Sequence, residues 1–416
     1  MSHLLDARGE VTPDDRLVFE RFEQTMAYAR TREYTGWDYG DGMDSRLLEA
    51  LPVSHKWLNI AFQEAAKRSP VNVRPLLGVR QRRNYQGAAL FAMANQTAAR
   101  LLADSNATSE RPAVDYDAEA QSLADWLVAN RLKGYGGFCA GYPHPIQHLD
   151  GLGRPGQPDV INTAFGVVAL LRAADYDADY AETVRSAAAF VTENLNYRPV
   201  GDDRGAVIDY HTKHEEDYYT INAGAVCARM FAELYAHFDE DRFRDRAREL
   251  LDHVADLQTD RGGWMYRDPP EASHLSMDNH HNGFIIESFQ RYRAVTGDDR
   301  YDRCLETALE FYRTELFEST GAPNFDEETR YPRDVHASSQ GILVFTYAGD
   351  LAFARRILQW TLENLYAGDG AFYFRGERWF TKRVVLMRWC QAWMAYAMSE
   401  YLDARLAGTD PSGIGR

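Results

Sequence analysis

Lysine is nearly missing from this chain. Five of its 46 basic residues are lysine and the rest arginine, against 62 acidic side chains, for a formal net charge of -16 at pH 7. A surface of that sign repels nucleic acid and anionic lipid, so neither is expected as a partner, and it suits a protein kept soluble in concentrated salt, as in a halophile. Cysteine is also scarce. Cys139, Cys227, Cys304 and Cys390 are widely separated and form no CxxC pair, which excludes a zinc knuckle and a dense disulfide scaffold and leaves buried free thiols.

Long apolar runs are lacking too. None reaches the roughly 18 residues of a membrane span, and no basic start leads into an apolar signal, so the expectation is a cytoplasmic protein that at most visits the inner face of the membrane. There is no Walker loop, Rossmann glycine pattern or serine nucleophile elbow. The histidines show no zinc spacing and the aspartates form no calcium loop, so no cofactor and no metal are expected.

What the chain does have is a repeat. Polar or aromatic clusters open helix-like runs of small and apolar residues near Asn84, Asp159, Tyr219, Asn279, Asp334 and Met387, and from the second start onward the steps are 60, 60, 55 and 53 residues. That is the period of a long helical hairpin. Charge-poor runs such as Val160 to Leu171 suit a buried inner ring, and charged amphipathic runs such as Arg242 to Leu251 suit an outer one. The expected fold is all-α: an (α/α)6 toroid of six hairpins with short β-hairpin-like loop insertions. Residues 1–410 would form one domain, with 1–50 covering the mouth and 411–416 a flexible tail. Each outer helix is expected to pair with the inner helix that follows it, beginning with about Pro52 to Lys67 against Gln86 to Leu102. Gly136-Gly137-Phe138, Gly262-Gly263-Trp264 and Gly370-Ala371-Phe372 recur between outer and inner helices, where glycine permits tight turns and the aromatic covers helix ends.

The helix starts carry the candidate chemistry. In Ser276-Met-Asp-Asn-His-His-Asn-Gly283, Asp278 can cap the helix, while capping alone does not need His280 and His281. One hairpin later, Arg330-Tyr-Pro-Arg-Asp-Val-His336 offers Asp334 as a cap, His336 in the first turn and Arg333 for a carboxylate or phosphate. At the sixth start, Arg388 could clamp a sugar acid while Trp389 supplies an apolar face. Tyr219, preceded by His211, His214, Glu215 and Asp217, could move a proton. The glycine-rich loop of Trp37, Asp38, Tyr39, Asp41 and Asp44 would enclose one side of a saccharide, with His144 and His148 reaching in from a second loop. The structural alternatives are caps, salt-bridged scaffolding and a solvated acidic loop.

Three segments carry a resemblance: Tyr39-Gly-Asp-Gly-Met-Asp-Ser45, Arg330-Tyr-Pro-Arg-Asp-Val-His336 and Met387-Arg-Trp-Cys-Gln-Ala-Trp393. With them the chain resembles helical-toroid proteins encoded beside surface-polysaccharide and haloarchaeal protein N-glycosylation genes. More remotely it is similar to the helical domain of glucuronyl C5-epimerases, whose β portion it lacks, and to six-hairpin glycosidases and polysaccharide lyases. The resemblance implies a uronic acid-containing glycan, free or lipid-linked, as partner, and isomerisation or epimerisation of a hexuronic acid as the reaction. For that reaction Arg333 or Arg388 would neutralise the sugar carboxylate, and His280, His336 or Tyr219 would exchange protons. Hydrolysis, with Asp278 and Asp334 as the carboxylate pair, lyase chemistry and a noncatalytic glycan-binding role are the alternatives. Terpene cyclisation is disfavoured by a polar mouth without a DDxxD-like cluster.

Overall fold

The structure, a computed structural model, describes residues 13–53, 55–103, 114–147, 151–201, 205–212 and 217–406. The predicted tail lies outside them. In chain order the long helices are α1 (Pro13–Arg30), α2 (Lys56–Arg68), α3 (Tyr85–Ala103), α4 (Tyr116–Ala129), α5 (Val160–Arg172), α6 (Ala178–Arg185), α7 (Ala187–Asn194), α8 (Ile221–Phe238), α9 (Asp241–Asp256), α10 (Asn279–Thr296), α11 (Asp302–Thr314), α12 (Val335–Tyr347), α13 (Leu351–Asn364) and α14 (Trp393–Leu406). Among the described residues, no helix is long and apolar enough to cross a membrane.

Six of these helices close a ring. Helices α3, α5, α8, α10, α12 and α14 each pack on the next, and α14 packs back on α3. Burial on all sides explains their composition: every residue of α5 from Val160 to Leu171 is buried. The outer helices bury one stripe. In α9 it is Phe243, Ala247, Leu250, Leu251 and Val254, and each large side chain there contributes about 1.5–3 kcal/mol by leaving water.

The hairpin pairing differs from the expected one. Helices α4, α9, α11 and α13 pack mainly on the inner helix that precedes them, and α1 closes the outer ring by packing on α14. The cause is loop length: only Asp239 and Glu240 separate α8 from α9, so those two must fold back on each other, whereas the long outer-to-inner connections are free to build the mouth. Helix α2 is not an outer helix at all. It packs against the turn Asp41–Met43 and the strand Ile146–Gln147, as part of a lid. Between α5 and α8 the outer layer is broken at Ser186 into two short helices, α6 and α7.

All the inner helices begin at the same end of the ring, and their unsatisfied N–H groups are met by the neighbouring loop. Val160 donates to the carbonyl of Tyr210, Ile221 to Tyr266, Asn279 to Phe325, Val335 to Phe374 and Met387 to Trp37. Each acceptor is aromatic, so the same bonds that knit the ring place aromatic residues around its mouth. Two-residue antiparallel ladders reinforce them, pairing Tyr219–Thr220 with Arg267–Asp268 and Arg333–Asp334 with Arg375–Gly376. The glycine echoes mark close approaches of backbone to the outer helices. A Cβ on Gly137 would lie 1.8 Å from the carbonyl oxygen of Ser186, and one on Gly370, at φ +86°, 2.2 Å from that of Gln24. The aromatic that follows does cover a helix end: Trp264 Nε1 donates to the Val254 carbonyl at 2.7 Å.

Inside the ring, three aromatic rings separate two polar zones. Phe165 lies 5.2 Å from Trp393 and 6.2 Å from Phe284, which is 5.3 Å from Trp393, all between centroids. Toward the helix C-termini are the buried pairs Arg172–Glu400, Arg229–Glu287 and Arg291–Glu233, with Tyr347 and Tyr396 among them. The helix N-termini carry the other zone.

Candidate active site

Three aspartates cap inner helices: Asp159 accepts from the N–H of Asn162, Asp278 from that of His281 and Asp334 from that of His336. Capping fixes each helix start and, with it, the histidines of the first turn. Asp278 also lies against both of its histidine neighbours, with Oδ2 2.8 Å from His281 Nδ1 and Oδ1 3.1 Å from His280 Nδ1. If His281 Nδ1 donates to Asp278, its Nε2 is left with a free lone pair. Burial works against the Asp278 carboxylate, but His281 and His280 outweigh it and hold its pKa below the ordinary value.

His336 lies beside His280 on the adjacent inner helix, 4.9 Å between centroids and tilted by 31°. Its ring stacks on Trp393 at 4.6 Å and meets Trp389 edge-on at 4.5 Å. Both of its ring nitrogens are buried without a hydrogen-bond partner, as are His144 Nε2 and Trp393 Nε1. Four such atoms therefore gather at one mouth, where a bound polar group could pair with them. Burial, with His280 and Arg388 nearby, pushes the pKa of His336 well down; burial and His281 push that of His280 down to about 3. Both rings are therefore neutral at pH 7.

Arg388 and Trp389 come from a π-helical turn, Met387–Ala392, that leads into α14; Gln391 N–H reaches back to the Leu386 carbonyl five residues earlier. Trp389 Nε1 donates to Asp334 at 2.8 Å, and its ring stacks on Tyr39 at 4.5 Å and 29°. The structure thus stacks two residues that the sequence named separately, Tyr39 of the glycine-rich loop and Trp389 of the sixth helix start. Arg388 is not an unpaired clamp. Its Nε donates to Asp38 at 2.8 Å and its NH1 to Gln86 at 3.0 Å, while Asn84 donates to the same carboxylate at 2.8 Å. His144 is buried with them, and burial brings its pKa down to about 4. Burial raises the pKa of Asp334 to about 6 and that of Asp159 to about 7.

Several expected residues are not brought to this cluster. Arg333 is one position from Asp334 on an extended segment and so points the other way, to Glu318 and the ring of Trp360 on the outer helix α13. The buried Tyr219 hydroxyl fills the space beside Gly224, and its ring lies 5.2 Å from His253 of the outer helix α9. Asp44 is engaged by Arg80 and Arg82 in the lid, and Trp37 donates to the Val79 carbonyl while anchoring Met387. His148, His214 and Glu215 lie outside the described residues. In their place the structure adds Gln86, Tyr142, Trp393 and Tyr266, whose ring is 4.5 Å from that of His281. Tyr266 follows the Gly262-Gly263-Trp264 echo, and that repeat was its signal.

The spacing in sequence carried no expectation of a metal, yet Asp278, His280 and His281 offer ligand atoms within 4.8 Å of one another, close enough to hold one ion. The hydrogen-bonded reading of the same three residues needs no ion.

No known protein-family profile matches the sequence, and no curated protein matches it as a relative. Solved structures do share its architecture. An unsaturated glucuronyl hydrolase specific for heparin superposes with a TM-score of 0.60 at 14% identity, over 95% of this chain and 98% of that one. The cellobiose 2-epimerase of Bacillus thermoamylovorans B4167 gives 0.58 at 14% identity, over 77% and 87%. A D-mannose isomerase gives 0.56 at 10%, over 77% and 86%. The fold is an (α/α)6 toroid. Identities this low carry the fold and nothing further.

Proposed function

We propose that this protein is a carbohydrate-active enzyme that isomerises or epimerises a hexuronic acid-containing saccharide, free or lipid-linked, in the assembly of a surface-protein N-glycan or polysaccharide. The observation that carries this reading is the adjacent pair His280 and His336, both neutral, with both ring nitrogens of His336 free of hydrogen bonds, beside the stacked Tyr39 and Trp389. Two neutral imidazoles side by side at the starts of two adjacent inner helices suit proton exchange better than bond hydrolysis. One takes the proton from the carbon next to the sugar's carbonyl or carboxylate group, leaving the electron pair as an enolate. The imidazolium so formed, or its neighbour after proton transfer between the two rings, returns the proton to the adjacent carbon in an isomerisation, or to the other face of the same carbon in an epimerisation once the sugar has turned in the site. Cationic neighbours stabilise the enolate charge as it develops. Sugar epimerases and isomerases among the fold neighbours are consistent with this chemistry.

Hydrolysis is the second reading, favoured by the contrast between Asp278, held below the ordinary value, and Asp334, raised to about 6. Against it, both carboxylates already accept from a helix N–H and from or beside an aromatic ring N–H. Comparing the native glycan from cells with and without the gene separates the readings. Isomerisation predicts a changed stereoisomer at unchanged mass, hydrolysis or lyase chemistry predicts a shorter chain, and an unaltered glycan with binding but no turnover leaves a glycan-binding protein.

A further inference from the structure

Among the described residues, the mouth contains an arginine without a carboxylate partner. Arg388, Arg333, Arg375, Arg74, Arg80 and Arg82 each have a carboxylate partner. Arg267 forms no salt bridge among the described residues. Its guanidinium carbon lies over Tyr218, 3.6 Å from the ring centroid, and 5.5 Å from that of Tyr266. One NH1 contact reaches the Ala272 carbonyl at 3.3 Å, and the buried Nε–H has no acceptor. Strand alternation sets its direction. In the ladder, Arg267 pairs with Thr220 and Asp268 with Tyr219, so Arg267 stands on the face opposite the one that Tyr219 turns toward α9. The Tyr266 ring, just before the strand, is near both Arg267 and His281, 4.5 Å from the latter, and lies 5.1 Å from His274.

We infer that Arg267 is the residue that binds the carboxylate of the sugar acid and sets the preference of the site for uronates over neutral sugars. This rests on the saccharide reading given above and assigns to Arg267 the role expected of Arg333 or Arg388. A planar guanidinium held on an aromatic ring keeps its donor fork in one plane, the geometry that a carboxylate matches with two parallel hydrogen bonds. The ring contact, and not a carboxylate among the described residues, holds the side chain, which leaves its charge for the ligand. A carboxylate placed there has its sugar ring directed past Tyr266 toward His281, His280 and the stacked Tyr39 and Trp389. Burial first, with Arg267 and His281 beside it, also lowers the pKa of His274, so that ring adds no competing charge at neutral pH.

The test is calorimetric titration of the full chain with sodium D-glucuronate, D-glucose and inorganic phosphate, for the wild type, Arg267→Gln and Arg267→Lys. The wild type is expected to hold glucuronate at least about tenfold more tightly than glucose, and Arg267→Gln to lose that preference by about ten- to hundredfold, the usual range for a charge-assisted hydrogen bond. Glucose binding should stay within about twofold in both variants, which also reports an intact fold, and Arg267→Lys should recover part of the loss. Unchanged glucuronate affinity in Arg267→Gln, a parallel fall for glucose, or competition by phosphate at Arg267 without glucuronate binding would each overturn the assignment. A wild type that prefers glucose overturns this inference and leaves the saccharide reading standing; one that binds neither sugar overturns both.

Discussion

His280 and His336 are kept neutral by where they sit, and their chemistry follows from that. Replacing either by asparagine keeps a polar side chain but removes the exchangeable lone pair, so turnover should fall by roughly 10²- to 10⁴-fold while the melting transition stays in place. Equal activity in both variants would remove the histidine pair from the mechanism. Treatment with a chelator should leave the rate unchanged, because Asp278 is assigned to orienting its histidines; loss of activity on chelation, restored by added metal, would make Asp278, His280 and His281 an ion site. His144 gives a pH test. Its folded pKa of about 4 is below the ordinary 6.5, so the unfolded chain takes up the proton first. Stability tied to this group is complete above pH 6.5 and is lost as the pH falls toward 4, by about 3 kcal/mol at most. Urea midpoints of the wild type and His144→Gln should converge across that window; Asp159 and Asp334, with raised pKa values, act in the opposite sense in both proteins. At this scale the sequence revealed residue types and caps well. It could not choose between Arg333 and Arg267, because a side chain's face on a two-residue strand depends on register, and one position reverses it.

Among the elements, the lid is the least expected. A Cβ on Gly42 would lie 2.6 Å from the Phe62 carbonyl oxygen, 2.8 Å from Gln63 Cα and 2.9 Å from Ala66 Cβ, all parts of α2 that cannot swing aside. Gly42→Ala should therefore push α2 off the turn at Asp41–Met43, at a cost of about 1–3 kcal/mol. Faster amide exchange across residues 56–68, with α10 and α12 unchanged, is the expected result; unaltered exchange there would mean that α2 is not held by this contact. Amphipathic period identified the helices, and the expected Gln86 to Leu102 is within one residue of Tyr85–Ala103 at each end. Pairing was misread because period alone does not tell which neighbour a helix folds onto. The two-residue link between α8 and α9 held that information. The π turn at Met387–Ala392 left no trace in the pattern, since one extra residue in a fully buried run disturbs no polar stripe.

Over the whole molecule, the aromatic layer of Phe165, Phe284 and Trp393 divides a site from a foundation. Below it, removing one partner of a buried ion pair should cost far more than removing both. Arg229→Met alone is expected to destabilise by about 3–5 kcal/mol in denaturant unfolding, and Arg229→Met with Glu287→Leu by clearly less. Equal losses in the two proteins would show that the pair is not the unit. The ring itself was legible from the recurring helix starts. What the repeat could not convey is the chain of N–H donors from Val160, Ile221, Asn279, Val335 and Met387 to carbonyls of the next loop, by which the recurring starts become one mouth. The central claim is that this mouth exchanges a proton on a sugar acid. It is tested most directly by incubating the protein in D2O with uronic acid-containing saccharides and resolving both deuterium content and stereochemistry. The account predicts deuterium at the carbon beside the carbonyl or carboxylate group together with a new isomer, both lost in His280→Asn and His336→Asn. Cleaved product without exchange, or binding with neither, would contradict it.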